Sequence, residues 1–142
     1  MQGFPAIIVW IPILASDALA AAQRESEQIV NARAAQFWDG DHKLGREVAR
    51  SLGTPEWTAW DIYLFYPPGA EWTDRGLPPA EAALAQIGGV VVGSRGTLPP
   101  LADQSDLPEL LRDRAEVVGA QSDLDALLAQ VAAGAAKRHP RR

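Results

Sequence analysis

The stretch from Phe4 to Ala22, FPAIIVWIPILASDALAAA, constrains the fold more than any other part of the chain. It begins as a nearly continuous apolar run rich in β-branched residues, which is typical of a central strand covered on both faces. Pro12 indicates that strand pairing ends near that point, and Ser16 or Asp17 is a suitable cap for a following helix. Such junctions often bind ligands in α/β proteins, but this one holds no cysteine, histidine or phosphate-binding glycines.

The run from Phe4 to Ala15 has some features of a targeting segment, because it is apolar and Ala18-Leu19-Ala20 shortly after it resembles a cleavage site. However, no positive charge precedes the run, and Pro5 and Pro12 interrupt it. It is also shorter than the about 20 residues that cross a bilayer. We interpret it as a buried strand and expect a cytoplasmic protein with no membrane partner; a signal segment is the alternative.

Composition excludes several classes of function. The chain has no cysteine, which rules out disulfides, thiolate metal sites and thiol catalysis. Because four of the thirteen basic residues lie in the last six positions, residues 1–136 carry nine basic and eighteen acidic residues, a net charge of −9. Such a surface repels phosphate backbones, so we expect no nucleic-acid partner, and we interpret residues 137–142 as a solvated basic tail. No phosphate-binding loop or dinucleotide motif is present, and we expect no cofactor.

Strands and helices alternate in the pattern that follows. Residues 34–38 predict a second strand, and Asp41 is a suitable cap for a helix that ends at Gly53, where a left-handed residue belongs. Residues 58–66, TAWDIYLFY, give the strongest strand signal in the chain. After a Pro-Pro-Gly turn, residues 70–72 could return as a short antiparallel strand.

The second half of the chain predicts further elements of both kinds. We expect a helix over residues 79–87, a strand over 89–94 and a helix within 105–111. Residues 115–119 could extend that helix or form a last strand, and the valine pair before a glycine favours the strand. Ser122 is a suitable cap for a final helix with leucine and valine at helical spacing.

This order of elements, together with three groups of residues, resembles the thioredoxin-like superfamily. Ile8-Val9-Trp10-Ile11-Pro12 is similar to its first core strand, and Trp38-Asp39, with the helix ending at Leu52-Gly53, is similar to the second βα unit of peroxiredoxin-type members. Residues 62–71, IYLFYPPGAE, are similar to the third strand, turn and fourth strand. The resemblance covers about residues 4–75 and implies an α/β fold, a three-layer sandwich in which helices flank a mixed central sheet.

With this resemblance, we expect a single domain over residues 1–136, with an insertion around residues 76–104. The family's redox pair would lie within Leu14, Ala15, Ser16 and Asp17, none of which forms a thiolate. The family's cis-proline would fall near Asp61, where no proline is present. The resemblance therefore implies a redox-inactive domain.

Asp39, Asp41 and His42, in the run WDGDH, form the densest group of potential metal ligands. Carboxylate and imidazole donors at this spacing could hold a divalent cation in a loop at the start of a helix. The alternative is local: Asp39 makes a turn with the glycine, Asp41 caps the helix, and His42 is solvated.

Asp61 is a carboxylate inside an otherwise apolar predicted strand. Buried there, it would have a raised pKa or a partner, as general acids and bases do. Alternatively, it lies at the exposed start of the strand and bonds to a neighbouring amide. The resemblance puts Asp61 next to Asp17, so the two could share one cleft.

Six aromatic residues fall within sixteen positions, more than one strand pair can bury on one face: Trp57, Trp60, Tyr63, Phe65, Tyr66 and Trp72. Some should be partly exposed, which favours an interaction surface. We therefore expect a protein-interaction or ligand-binding module whose partner is another protein or a second copy. The alternative is a small non-redox enzyme that uses Asp17 and Asp61, or a metal near Asp39, Asp41 and His42.

Overall fold

The computed structural model describes residues 5–30, 33–87, 90–94 and 115–140. The chain divides into two compact units, residues 1–60 and 61–142, and each is described by itself. The single domain expected from the sequence stays a prediction. The strands and helices are β1 (Ala6–Trp10), α1 (Leu19–Gln28), β2 (Ala34–Trp38), α2 (Lys43–Ser51), β3 (Ile62–Phe65), β4 (Ala82–Ile87), β5 (Val90–Ser94), β6 (Ala115–Ala120) and α3 (Leu124–Arg138).

β1 and β2 form a parallel pair that α1 connects. The register aligns Val9 with Phe37, so Ile7 and Phe37 lie on the same face. Both strand predictions are confirmed, but the expected cover on both faces is wrong, because Ile7 and Phe37 are 56% and 57% exposed. α1 lies over the opposite face, where the Nε2 of Gln36 donates to the carbonyl oxygen of Ser26 (3.1 Å).

The helix caps predicted for this unit are wrong. α1 begins at Leu19, and neither Ser16 nor Asp17 caps it, because the carboxylate of Asp17 bonds to the loop before it. In α2 the carboxylate of Asp39, rather than that of Asp41, binds the amides of the first turn. The sequence pattern located both helices. Several polar residues near each helix start could act as its cap, and only the geometry of the loop decides which one binds the free amides.

α2 packs closely against its own unit through Gly45, which is buried. A β-carbon on Gly45 would lie 2.6 Å from Cδ1 of Ile11 and 2.8 Å from Cγ2 of Thr58, so this approach requires glycine. The predicted helix end is confirmed, because Gly53 has a left-handed φ of 80°.

The second unit contains an antiparallel sheet in the order β3-β4-β5-β6. The helix predicted over residues 79–87 is wrong, because residues 82–87 form β4 and pair on both sides. Alanine favours helices, yet the ladder bonds and the burial of Ala82 and Leu84 override that local preference. The return strand predicted at residues 70–72 is also wrong, since β3 pairs with β4 instead.

α3 packs on one face of this sheet and completes the core there. The predictions of a strand near residues 115–119 and of a final helix are both confirmed. A 3₁₀ turn over Gln121–Asp123 leads into α3 with no side-chain cap, so the predicted cap by Ser122 is wrong. The helix predicted within residues 105–111 lies outside the described residues.

The described residues form a mixed α/β structure with three α-helices and two sheets, which confirms the α/β prediction. The strands form a parallel pair and a four-stranded antiparallel sheet, whereas the resemblance implied one mixed sheet. Strands β4 and β5 both come from residues 76–104, for which the resemblance had no counterpart. No helix in the described ranges is long and apolar enough to cross a membrane.

Candidate functional site

Two loops meet at the carboxyl ends of β1 and β2, the edge where α/β proteins commonly bind ligands. We call them the strand-end loops; they comprise residues 11–18 and 39–42. Nε2 of His42 lies 2.6 Å from the carbonyl oxygen of Pro12 and joins the two loops. Because a carbonyl oxygen only accepts hydrogen bonds, Nε2 carries the hydrogen and donates it.

The carboxylate of Asp17 closes the first strand-end loop. Its Oδ2 accepts the amide hydrogens of Leu14 (2.7 Å) and Ile13 (2.8 Å). These two bonds, that from Leu14 first, lower the pKa of Asp17 from its usual value of 3.8. A carboxylate with a lowered pKa is ionised near neutral pH and is a weak base, so this geometry disfavours an acid–base role.

The position that the resemblance assigns to a redox pair is an exposed loop tip. Leu14, Ala15, Ser16 and Asp17 are all exposed, and Leu14 is 64% exposed. The amide of Asp17 also donates to the carbonyl oxygen of Leu14 (2.9 Å), which makes this a tight turn. The carboxylate of Asp17 therefore holds the backbone of this loop, and the side chain of Leu14 is exposed at its tip.

Asp39, Asp41 and His42, the residues of the predicted metal site, form hydrogen bonds or an ion pair with neighbouring groups of the chain. Oδ1 of Asp39 accepts the amide of Lys43 (2.8 Å), and Oδ2 accepts the amide of Gly45 (2.9 Å). Asp41 forms an exposed ion pair with Lys43 (3.3 Å), and the amide of His42 donates to the carbonyl oxygen of Asp39 (3.1 Å). Within the part of the chain that is described, no three His, Asp or Glu side chains are grouped to hold a metal ion. Metal binding by these residues stays a prediction.

Asp61 lies at the exposed start of β3, as the local alternative predicted. Its Oδ1 accepts a hydrogen bond from Nε2 of Gln86 (2.7 Å), and its carbonyl oxygen accepts the amide of the same residue (3.2 Å). Its φ of 53° is left-handed, a conformation that aspartate tolerates better than most residues. Asp17 and Asp61 belong to different units, and their shared cleft stays a prediction.

The predicted aromatic residues are divided between the two units. Trp57 and Trp60 follow α2 in the first unit and are 37% and 53% exposed. Trp72, in the second unit, is 40% exposed and contacts Tyr66 edge to face, with ring centroids 6.0 Å apart at 72°. Large apolar rings left in water are candidates for a contact surface, since covering them is favourable.

The aromatic residues of β3 have a different environment. Tyr63 and Phe65 pack against the core beneath α3. Burial, followed by the charges of Asp61 and Asp125, raises the pKa of Tyr63. These side chains therefore contribute to packing, whereas the three exposed tryptophans remain open to contact.

Sequence reasoning missed a charged cluster formed by Glu81, Arg138 and His139. Oε1 of Glu81 accepts hydrogen bonds from Nε of Arg138 and Nε2 of His139, both at 3.0 Å. The hydrogen bonds from His139 and then Arg138 lower the pKa of Glu81. α3 extends to Arg138, so the predicted basic tail begins inside a helix. No local pattern links Glu81 to residues so far along the chain; only the formation of β4 brings them together.

Comparisons of the chain with protein-family models, with curated proteins and with solved structures give no match.

Proposed function

We propose that the chain is a redox-inactive, thioredoxin-like α/β domain that acts as a protein-interaction module, with a second copy as the first partner to test. The proposal is carried by one observation: Trp57, Trp60 and Trp72 are 37%, 53% and 40% exposed. Tryptophan is among the residues that contribute most to binding when an interface covers them. Three partly exposed tryptophans in one small chain therefore favour a role in binding.

Further apolar side chains support an interaction role. Ile7 and Phe37 share an uncovered face of the β1–β2 pair, and Leu14 lies at the tip of a strand-end loop. The centres of protein interfaces are apolar and poor in charged residues. The first unit thus offers aliphatic and aromatic surface of the kind that such interfaces bury.

The polar candidates favour binding over catalysis. Asp17, Asp39 and Asp61 each accept hydrogen bonds from amide groups of the chain itself. They hold two loops and a strand end in place, and an acid–base enzyme would need at least one carboxylate directed at substrate. The enzyme alternative therefore gains no support from these contacts.

The thioredoxin-like part of the proposal rests on the order β1-α1-β2-α2 and on the parallel pairing of β1 with β2. It requires the strands of both units to belong to one mixed sheet. Backbone nuclear Overhauser effects between the β1–β2 pair and the other four strands would support it. A complete set of strand assignments without such effects would contradict it.

Sedimentation velocity over a dilution series tests the interaction proposal. We expect the mean mass to rise reversibly with concentration, and Trp60→Ser to shift that rise to higher concentration. Val30→Ser is the matched control, because Val30 is an apolar residue of the same unit that is 94% exposed and lies outside the aromatic set. A monomer at every concentration would contradict self-association, and equal effects of the two substitutions would contradict the role of Trp60.

A further inference from the structure

The end of α3 is tied to the start of β4 by one carboxylate. Oε1 of Glu81 accepts two hydrogen bonds at 3.0 Å, from Nε of Arg138 and from Nε2 of His139. In the described residues, Arg138 and His139 are the basic side chains that contact Glu81. Bonds between charged partners are stronger than those between neutral groups.

Each side of this contact is also held by a backbone hydrogen bond. The amide of Glu81 donates to the carbonyl oxygen of Phe65 (2.7 Å), so the carboxylate is anchored beside the sheet. The amide of His139 donates to the carbonyl oxygen of Ala135 (3.0 Å), at the last turn of α3. Helix ends fray, because their last carbonyl groups lack partners within the helix. The carboxylate therefore restrains the last turn of the helix, which is where fraying begins.

We propose that Glu81, Arg138 and His139 form a pH-dependent latch, which holds the last turn of α3 against the sheet and releases it when Glu81 takes up a proton. Protonation removes the negative charge that Arg138 and His139 both contact. Opening frees the cationic end of the helix, residues 137–139, from its acidic partner. The latch is thus a built-in control of whether this basic end is free.

The direction of the pH dependence follows from the charges. A carboxyl group whose pKa is lowered on folding contributes stability above its unfolded-state pKa, and that stability is lost as the pH falls through the folded-state pKa. The pKa of Glu81 lies below its usual 4.5, so the latch stays closed at neutral pH and opens in acid. Arg138 stays charged over this whole range, so the change in its contact with Glu81 comes from the carboxylate.

Carbon-13 Cα chemical shifts of residues 136–139 measure the helix population of the last turn and test the latch in the full chain. For Glu81→Gln at pH 7, we expect the ratio of closed to open latch to fall about two- to fivefold. As the pH falls below the usual carboxyl pKa of 4.5 and through the lowered pKa of Glu81, the wild type should approach the shifts of this variant, which should itself change little with pH. Glu71→Gln, the same change at an exposed position of the same unit, should behave as the wild type.

The shift of Leu128, which is buried, shows whether the core of the second unit stays folded in each sample. If Glu81→Gln disturbs it, Arg138→Met provides the test, since it removes one of the two donors to Glu81 and should lower the helix population at pH 7. A wild-type helix end that does not respond to acid would overturn the latch. Identical shifts in Glu81→Gln and the wild type, with the core folded, would overturn it as well.

Discussion

Asp39 offers the most direct test of how the strand-end loops are held. Its two carboxylate oxygens accept the amides of Lys43 and Gly45, the first and third residues of α2. Asp39→Ala removes both acceptors and leaves two amides of the first turn without this partner. Loss of an N-terminal cap costs about 0.5–2 kcal/mol, and loss of a negative charge at a helix start costs about 0.3–1 kcal/mol more. We therefore expect the free energy of unfolding to fall by about 1–3 kcal/mol.

The matched control is Asp41→Ala, the same substitution two positions later. The side chain of Asp41 is 77% exposed and forms an ion pair with the side chain of Lys43 (3.3 Å). An exposed ion pair of this kind contributes about 0–1 kcal/mol. Asp39→Asn should lie between the two alanine variants, because one amide oxygen remains as an acceptor. Urea unfolding followed by tryptophan fluorescence measures all three changes.

The result that would refute this reasoning is equally specific. If Asp41→Ala destabilises the protein as much as Asp39→Ala, the helix start depends on the cap that the sequence predicted. If Asp39→Ala changes the free energy of unfolding by less than about 0.5 kcal/mol, its two hydrogen bonds do not hold the loop. A change in the denaturant slope would indicate that the unfolded or native state had itself changed.

Three further predictions follow from packing and charge. Leu84→Ala should lower the free energy of unfolding by about 2–5 kcal/mol, because Leu84 is fully buried in a central strand. Leu14→Ala, at an exposed loop tip, should change the free energy of unfolding by less than about 0.5 kcal/mol, and urea unfolding measures both variants. Gly45→Ala should destabilise the protein by about 1 kcal/mol, because overpacking outweighs the gain in helix propensity. Gly134→Ala should stabilise the protein by up to about 1 kcal/mol, because its β-carbon would meet only a flexible arginine side chain 3.2 Å away. A change of the same sign in both variants would contradict the close packing at Gly45. A carbon-13 titration of the Asp17 carboxyl group should have its midpoint below pH 3.8. The wild type should be more stable than Asp17→Asn above the unfolded-state pKa, and this difference should be lost as the pH falls through the lowered pKa. A midpoint at or above 3.8 would show that the loop amides do not bind the carboxylate.

The sequence predicted the elements whose signal is local. Residues 34–38 form the predicted strand, the strand predicted over residues 58–66 forms only over 62–65, and Gly53 ends α2 in the left-handed conformation. Each of these depends on nearby side chains, β-branched and aromatic residues in the strands and glycine at the helix end. A pattern over a few residues is sufficient information for such features.

The sequence failed where distant pairing decides the outcome. Residues 82–87, AALAQI, favour a helix by composition, yet they form β4 because β3 and β5 supply ladder bonds on both sides. The Glu81–Arg138–His139 cluster was missed for the same reason, since it exists only once β4 and α3 have packed together. Secondary-structure propensity depends on the residues of a single segment, whereas β4 and the charged cluster both depend on contacts between distant segments.

The acidic candidates show why residue type alone could not establish the candidate site. A short connection between a strand and a helix leaves backbone amides without partners, and aspartate is among the residues that bind them best. Asp17 and Asp39 serve this purpose in the two strand-end loops, and Asp61 binds the side-chain amide of Gln86 at a strand end. Asp17 and Asp61 were also the candidate acid–base pair of an enzyme, and Asp39 was a candidate metal ligand, so residue type alone is compatible with both kinds of role. Exposed tryptophan differs in this respect, because nothing in the folding of a local loop requires a large apolar ring in water. An exposed aromatic side chain such as that of Trp60 therefore indicates more about function than a carboxylate whose hydrogen bonds already stabilise the fold.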